Sequence, residues 1–457
     1  MSKKENILII GAGLCGSLLA LRLAQRGYYV EVYESRPDLR KTDISAGRSI
    51  NLALSNRGLK ALRMVGVEEK AKKICIPMKG RLMHDIKGNT FEYNYSGRAG
   101  EYINSISRGD LNGILLTEAE KHENVNIHFN SSCLGVDVKN KIAMFESYQA
   151  KKQFTVKADV IFGTDGAGSS LRKSYEKQIS GNFKCVQDFL THGYKELEIP
   201  ADPTGNHQIS KNHLHIWPRG NYMLIALPNT DGSFTVTLFL SFSEGTYHFK
   251  NLKTKKDITT FFKNQFPDAL AFIPNIVKEF ENNPTGKLGT VKCFPWNYKG
   301  NTLLIGDAAH AIVPFYGQGM NASFEDIVVF DEVLNEFEGN WEAVFSEYQK
   351  KRKQDTDAIA DLAIDNYYEM RDHVANPLFK EKRKIEMKLE KNFPTQYFSK
   401  YSLVTFCEDI GYYQAMTQGR AQDKVLFNMI ENNVIFDSLN RSKEELKTVL
   451  KKIQKET

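Results

Sequence analysis

Cysteine is scarce in this chain. Six residues, Cys15, Cys75, Cys133, Cys185, Cys293 and Cys407, are scattered over 457 positions with no C-x-x-C pair. That spacing argues against a zinc knot and against a dithiol redox motif, and it suits a reduced, cytoplasmic interior. Long apolar runs are also missing. Those present, such as Ile7 to Ile10 and Ile327 to Phe330, fall far short of the roughly 20 residues of a spanning helix, so no transmembrane segment is expected. The N-terminus lacks the succession of basic, apolar and small residues that marks an exported chain. A concentrated basic face is absent as well. The net charge is +6, and the lysines gather only near the C-terminus, at Lys447, Lys451, Lys452 and Lys455, which reads best as a solvated helix surface. Nucleic-acid binding is therefore not expected. No internal repeat or low-complexity tract occurs.

What is present is ordinary globular material, 41% hydrophobic and 25% charged. The chain is longer than one core supports, so two domains, interleaved along the sequence, are expected. Asn6 to Ile10 is a short apolar run, Gly11 to Gly16 a glycine-rich turn, and Ser17 to Arg26 a helical pattern closed by Gly27. Tyr29 to Glu34 reads as the next strand. Together they make the βαβ opening of a parallel sheet. The α/β texture returns at Ala158 to Thr164 and at Thr302 to Ile305. Between these lie alternating, aromatic segments, among them His213-Leu-His-Ile-Trp-Pro and Phe234-Thr-Val-Thr-Leu-Phe-Leu, which read as antiparallel strands. From Asp326 onward the pattern is helical, with breaks at Asn376-Pro and Phe393-Pro.

Gly11-Ala-Gly-Leu-Cys-Gly16 follows a strand and opens a helix, the context that lifts G-x-G-x-x-G above a chance match. Gly11 makes the tight turn, Gly13 lets backbone approach a pyrophosphate, and Gly16 permits close helix packing. The helix N-terminus adds free N–H groups and a positive dipole end. Glu34, about twenty residues on, is placed to hydrogen-bond the adenosine ribose. Whether the nucleotide is FAD or NAD is not decided here, because both use this fingerprint.

Two further stretches bear on that choice. Val160-Ile-Phe-Gly-Thr-Asp165-Gly166-Ala-Gly-Ser169-Ser-Leu-Arg172 and Thr302-Leu-Leu-Ile-Gly306-Asp307-Ala-Ala-His310 are each a strand ending in a turn with an aspartate. Either aspartate alone could equally be a helix cap. With the glycine motif, in this order, they resemble the flavoprotein aromatic hydroxylases. The resemblance extends through Arg81-Leu-Met-His84, Tyr102 to Arg108, His213 to Pro218, Gly317-Gln-Gly-Met-Asn321 and Asn366-Tyr-Tyr-Glu-Met-Arg371, from Ile7 to about Phe406.

The resemblance implies an α/β fold. A Rossmann-like FAD-binding domain (residues 1–75, 103–180 and 295–335) would interleave with an antiparallel-sheet substrate domain (76–102 and 181–294), followed by a helical C-terminal region (336–457). It implies that Asp307 holds a ribityl hydroxyl of FAD and that the Asp165 segment serves both FAD and the nicotinamide nucleotide. Arg108 could reach the FAD phosphates, or be a surface arginine ahead of a helix capped by Asp110. Pro314, Gly317, Gly319, Met320 and Asn321 form a glycine loop and helix start whose backbone N–H groups could face the flavin ring. No second G-x-G-x-x-G lies between strand and helix, so NADPH would bind transiently.

The implied reaction is 3-hydroxylation of L-kynurenine with FAD, NADPH and O2 through a flavin C4a-hydroperoxide. No side-chain nucleophile, strong base or metal is then required, and His84 and His310 read as structural. Arg81 and Tyr95 match ligands for the substrate carboxylate, and Asn366 and Tyr401 further polar contacts; Phe239 and Phe315 are candidates to pack on the aniline ring. A structural salt bridge at Arg81 and core roles for the others remain the alternatives. Eukaryotic members of the family end in a hydrophobic membrane anchor, whereas Leu446-Lys-Thr-Val-Leu-Lys-Lys-Ile-Gln-Lys is an amphipathic helix at most; a soluble, bacterial form without an anchor is expected. A flavin halogenase is disfavoured because its W-x-W-x-I-P segment is missing and Trp217, Trp296 and Trp341 stand apart. A flavin-dependent hydroxylase of another small aromatic acid and a non-catalytic flavin-binding protein stay open.

Overall fold

The computed structural model describes residues 5–41, 51–179, 181–372, 377–432 and 441–456, with side chains omitted at 371 and 372. The apolar run Asn6–Ile10 lies inside a six-stranded sheet, paired in parallel with Val160–Gly163 on one side and Tyr29–Tyr33 on the other. Such a strand is covered on both faces, which is why it reads as a continuous rather than an alternating apolar run. Ile7, Leu8 and Ile9 are fully buried. Val125–His128 extends the sheet beyond Tyr29–Tyr33, and Thr302–Leu304 lies beside Val160–Gly163. The edge pair Asn297–Tyr298 with Thr302–Leu304 is antiparallel.

The chain leaves the first strand through Gly11, whose φ of +98° is open to glycine and strained for other residues. Its N–H closes the turn on Tyr33 O at 2.8 Å. The helix Leu14–Gln25 follows, and Gly27, at φ +85°, ends it. The six-stranded sheet and its helices share one core with the helix Gly319–Glu336 and the start of the long helix Trp341–Asp372.

A second, seven-stranded sheet runs in the order Thr285–Phe294, Lys184–Ile199, Phe234–Ser241, Met223–Pro228, His213–Pro218, Gly80–His84 and Thr90–Asn94. The expected antiparallel character needs one correction. His213–Pro218 runs parallel to Gly80–His84, because the latter arrives from a distant part of the chain and no hairpin dictates its direction. This parallel pairing brings Arg81 into the second sheet.

The C-terminal region is helical. The break expected at Phe393-Pro is where the helix Pro377–Asn392 stops, while Asn376 lies outside the described residues. In the last helix, Lys443–Glu456, the apolar positions Leu446, Val449, Leu450 and Ile453 recur at helical spacing and pack on Ile385, Leu389, Leu426 and Ile430. Its five lysines face solvent, as the composition implied. Among the described residues no helix is long and apolar enough to cross a membrane.

The glycine turn supplies a test of the packing. A Cβ on Gly16 would overlap Gly11 O and Thr164 Oγ1, whereas one on Gly13 would meet nothing within 4 Å. Gly16→Ala should lose about 1–3 kcal/mol in chemical denaturation of the ligand-free protein. Gly13→Ala should leave the midpoint nearly unchanged. Equal stability of the two variants would refute this packing.

Candidate functional site

The open space at Gly13 is matched by free donors. Gly13 is the N-cap of the helix Leu14–Gln25 and offers no capping side chain, so the first N–H groups of the helix point into a cleft. Glu34 borders that cleft, 5% exposed. Its Oε2 accepts from Ala12 N at 2.8 Å, and its Oε1 from Arg36 N at 2.9 Å and Arg36 Nε at 2.8 Å. Burial works against its charge, yet Arg36 and the Ala12 N–H outweigh it and hold the carboxyl below its ordinary range. Oε1 is saturated, since Ser35 Oγ donates to it as well, at 3.2 Å, whereas Oε2 keeps a lone pair for a further donor.

Because Val160–Gly163 and Thr302–Leu304 are adjacent and parallel, the turns after them emerge side by side. Arg172, 1% exposed, clamps the two turns together: it donates to Ala308 O at 2.8 Å and to Ala167 O. Asp165 uses Oδ2 to cap the next helix through Ser170 N at 2.6 Å, while Oδ1 is buried without a hydrogen-bond partner. The N-cap residue itself is Ser169, whose Oγ accepts from Arg172 N at 3.0 Å, so Asp165 only supplements the cap. Burial pushes the Asp165 carboxyl up. Asp307 is exposed on the turn, yet the protein around it pushes its carboxyl up against the opposing charges of Arg108 and His310.

Arg108 opens the helix Arg108–Ala119. The cap is Ser107, whose Oγ accepts from Asp110 N at 3.2 Å, and not Asp110 as the sequence suggested. A serine directly before the first turn has the shorter reach to the third N–H. Arg108 is exposed at the cleft mouth, and its charge reaches Asp307 and the second-sheet residues Tyr194 and Glu196. The loop Pro314–Tyr316 turns through Gly317 at φ +70° into the helix Gly319–Glu336, which also starts without a side-chain cap. Asn321 is occupied internally: Nδ2 donates to Ala53 O at 2.8 Å and Gly317 O at 2.9 Å, and Oδ1 accepts from Ser55 N at 3.0 Å. Donors for a ligand at this end are the backbone N–H groups at Gly319 and Met320.

Four sequence-selected residues, Arg81, Tyr95, Asn366 and Tyr401, line one pocket together with Tyr316 and Glu369, enclosing about 770 Å³ that is partly open to solvent. Tyr401 is stacked between Tyr95 and Tyr316, with ring centroids 5.5 Å away on each side. The Arg81 guanidinium lies 5.0 Å from the Tyr401 ring and 5.7 Å from the Tyr95 ring. Its Nε is buried without a hydrogen-bond partner, and among the described residues no carboxylate pairs with it. Burial opposes its charge, but Tyr401, Tyr95 and Glu369 together hold it above its ordinary range.

Asn366 is oriented by donating to Phe315 O at 2.6 Å. Phe239 and Phe315, 5.0 Å apart and buried, stand behind the pocket in an apolar cluster with Met83, Tyr316 and Tyr367. Sequence reasoning missed Glu369, although it lies one helical turn after Asn366 and so shares its face. It also missed the basic far wall of Lys382, Arg383 and Lys400, which comes from helices remote in sequence. His84 is bonded to Asp268 and His215, each at 2.9 Å, and His310 to Asp326 at 2.6 Å. Among the described residues no cluster suits a metal ion.

The FAD binding domain family model matches residues 4–363. A kynurenine 3-monooxygenase of Myxococcus xanthus is 46% identical over 94% of this chain and 92% of its own. Those of Flavobacterium johnsoniae and Dictyostelium discoideum are 43% and 42% identical, covering 100% and 97% of this chain and 100% and 96% of theirs. Among solved structures, 2-methyl-3-hydroxypyridine-5-carboxylic acid oxygenase superposes with a TM-score of 0.65 at 18% identity, covering 85% of this chain and 98% of that one. The p-nitrophenol 4-monooxygenase of Pseudomonas putida DLL-E4 gives 0.65 at 17% identity, over 86% and 95%.

Asp326 generates a test. It is wholly buried, accepts from Gly306 N at 3.1 Å and Arg352 Nε at 2.8 Å besides His310, and despite burial is held below its ordinary range by His310 and Arg352. Asp326→Asn should cost about 3–5 kcal/mol at neutral pH, since it strands buried partners. A carboxyl lowered in the folded state contributes stability above its unfolded pKa, and that contribution fades as pH falls through the folded value. Denaturation curves for wild type and variant should therefore begin to converge only as the pH falls below about 4. A neutral-pH loss under about 1 kcal/mol would contradict the assignment.

Proposed function

We propose that the chain, which belongs to the kynurenine 3-monooxygenase family and carries its FAD binding domain, hydroxylates L-kynurenine to 3-hydroxykynurenine with bound FAD, NADPH and O2. The observation that carries the substrate assignment is Arg81: a buried guanidinium with an unused Nε donor, lining a pocket, with no carboxylate paired to it among the described residues. A planar fork of this kind takes a carboxylate bidentately. Glu369, which lines the same pocket and whose charge reaches Arg81, suits the ammonium of the same amino acid. Unlike charges at both ends select a zwitterionic head group over a simple aromatic acid.

FAD fits the cleft by the chain's own chemistry. The pyrophosphate would take the N–H groups after Gly13, the adenosine ribose Glu34, the ribityl chain Asp307, and the ring the N–H groups at Gly319 and Met320, with Arg108 near the phosphates. Asp165, with an orphaned Oδ1, would face the nucleotide. When bound, FAD supplies the redox chemistry, accepting a hydride from NADPH and activating O2 to deliver one oxygen atom to the ring.

The protein's remaining work is positional. Arg81, Tyr95 and Tyr401 hold the carboxylate, Asn366 adds a polar contact, and Phe239 and Phe315 keep the aniline side apolar and dry. The substrate's own amino group activates the ring, so no strong side-chain base is called for. A cytoplasmic location belongs to the same reading and is supported by six unpaired cysteines.

The decisive experiment follows NADPH oxidation with and without L-kynurenine and weighs the product. Stimulated oxidation with a gain of one oxygen atom is expected; no stimulation would leave a flavin-binding protein without this activity. The carboxylate assignment is tested by Arg81→Met, which removes one partner of a charge pair at a cost of about 2–5 kcal/mol. The kynurenine KM should rise at least about tenfold while FAD stays bound and peroxide release increases. Arg81→Lys should rescue in part, keeping the charge but not the fork. Unchanged KM and coupling would place the carboxylate elsewhere.

A further inference from the structure

We propose that Cys185 and Cys293 form an oxidisable pair that closes into a reversible cross-strand disulfide when the protein meets hydrogen peroxide. The two stand directly opposite each other where Lys184–Ile199 pairs antiparallel with Thr285–Phe294. The register places them at a favourable position. Val291 N–H donates away from the partner strand, to Ala311 O at 2.8 Å. Backbone groups two residues apart in a strand point the same way, so those of Cys293 also turn outward. Cys293 O accepts from Trp296 Nε1 at 2.7 Å, which agrees.

Cys185 and Cys293 are therefore a non-hydrogen-bonded pair, whose Cα atoms approach to about 4.5 Å with both side chains on one face. That separation falls within the roughly 4.4–6.8 Å that a disulfide spans.

Their environments divide the chemistry between them. Cys293 is 2% exposed and its Sγ–H donates to Ala309 O at 3.1 Å. Cys185 is half-buried on the same face. The Cys293 thiol beside it, and then Arg172, bring the Cys185 thiol down to about 7, against burial and Glu176. Burial pushes Cys75 and Cys133 up to about 12 and Cys407 to about 11, and Cys15 and Cys293 also lie above their ordinary range. Of the six thiols Cys185 alone is shifted down, so it ionises most readily, and the thiolate is the nucleophile.

Cys185 sulfur attacks one peroxide oxygen; the O–O bond breaks, and the departing hydroxide takes a proton to become water, leaving a sulfenic acid. Cys293 sulfur then attacks Cys185 sulfur. The S–O bond breaks, and the leaving hydroxide takes the Cys293 proton. Two thiols lose two electrons, and one peroxide becomes two waters. The hydrogen bond to Ala309 is exchanged for the S–S bond beside the turn that carries Asp307.

FAD-loaded, full-length protein treated with hydrogen peroxide at neutral pH, alkylated, digested and mass-mapped should yield a linked Cys185–Cys293 peptide lacking two hydrogens and restored by dithiothreitol. Alkylation at Cys185 should be lost at least about tenfold faster than at Cys75, Cys133 or Cys407. Cys293→Ser should stop at a Cys185 sulfenic acid trapped by dimedone, and Cys185→Ser should leave Cys293 alkylatable after unfolding. Native protein in which other cysteines oxidise first, or in which Cys185 proceeds to sulfinic acid without linking to Cys293, would overturn the proposal.

Discussion

Two neighbouring carboxylates on the helix Gly319–Glu336, Glu325 and Asp326, tie the turn at Gly306 to the pocket lined by Arg81. Asp326 holds the Gly306 turn and His310 on one side and Arg352 on the other. Arg352 belongs to the long helix Trp341–Asp372, which carries Asn366 and Glu369 into the pocket. Glu325 pairs with Arg352 and with Arg57, and Arg57 in turn donates to Val404 O at 2.8 Å and Ile410 O at 2.7 Å. The segment bearing Tyr401 is thereby fastened to the same helix. Burying so many charges is costly, and apolar replacements often fill such space as well. What the charges add is direction, because each hydrogen bond fixes a turn or helix against a particular neighbour.

A similar arrangement shapes the far wall of the pocket. Lys382 and Lys400 both reach Asp423, each at 2.6 Å, and Arg383 pairs with Glu386 while donating to Tyr95 O at 2.7 Å. These cations are largely neutralised within the protein. Arg81 is different: its field meets the rings and hydroxyls of Tyr401 and Tyr95 and, without a direct ion pair, Glu369, and its donor capacity is not exhausted internally. Affinity for an anionic group concentrates there because its neighbours have already been matched. The cleft end follows the same logic with backbone groups, since uncapped helix starts leave N–H donors that only a ligand or water can satisfy.

Much of the first sheet was legible in the sequence. Continuous apolar runs, glycine turns and the helical pattern after them are local consequences of burial and of φ, so Asn6–Ile10, the Gly11 turn and Leu14–Gln25 follow from residues close in the chain. The two aspartate turns were legible for the same reason. Less so was the division of labour within them: only the folded chain assigns one oxygen of Asp165 to a helix cap and strands the other, or occupies every hydrogen-bonding group of the Asn321 amide.

The pairings between distant segments were not legible at all. Spacing cannot state that Gly80–His84 lies parallel to His213–Pro218, that Lys382 and Lys400 meet at Asp423, or that Cys185 faces Cys293 across a hundred intervening residues. Six widely separated cysteines read as six isolated thiols until strand register makes two of them neighbours. The sequence by itself determined the local grammar of this protein, the glycine turn, the helix faces and the aromatic hydroxylase motifs, because these depend on near neighbours and on periodicity. The charge balance of the pocket and the partners of its buried groups were decided only by tertiary structure, because electrostatic and hydrogen-bond energies depend on distances in space that chain separation does not encode.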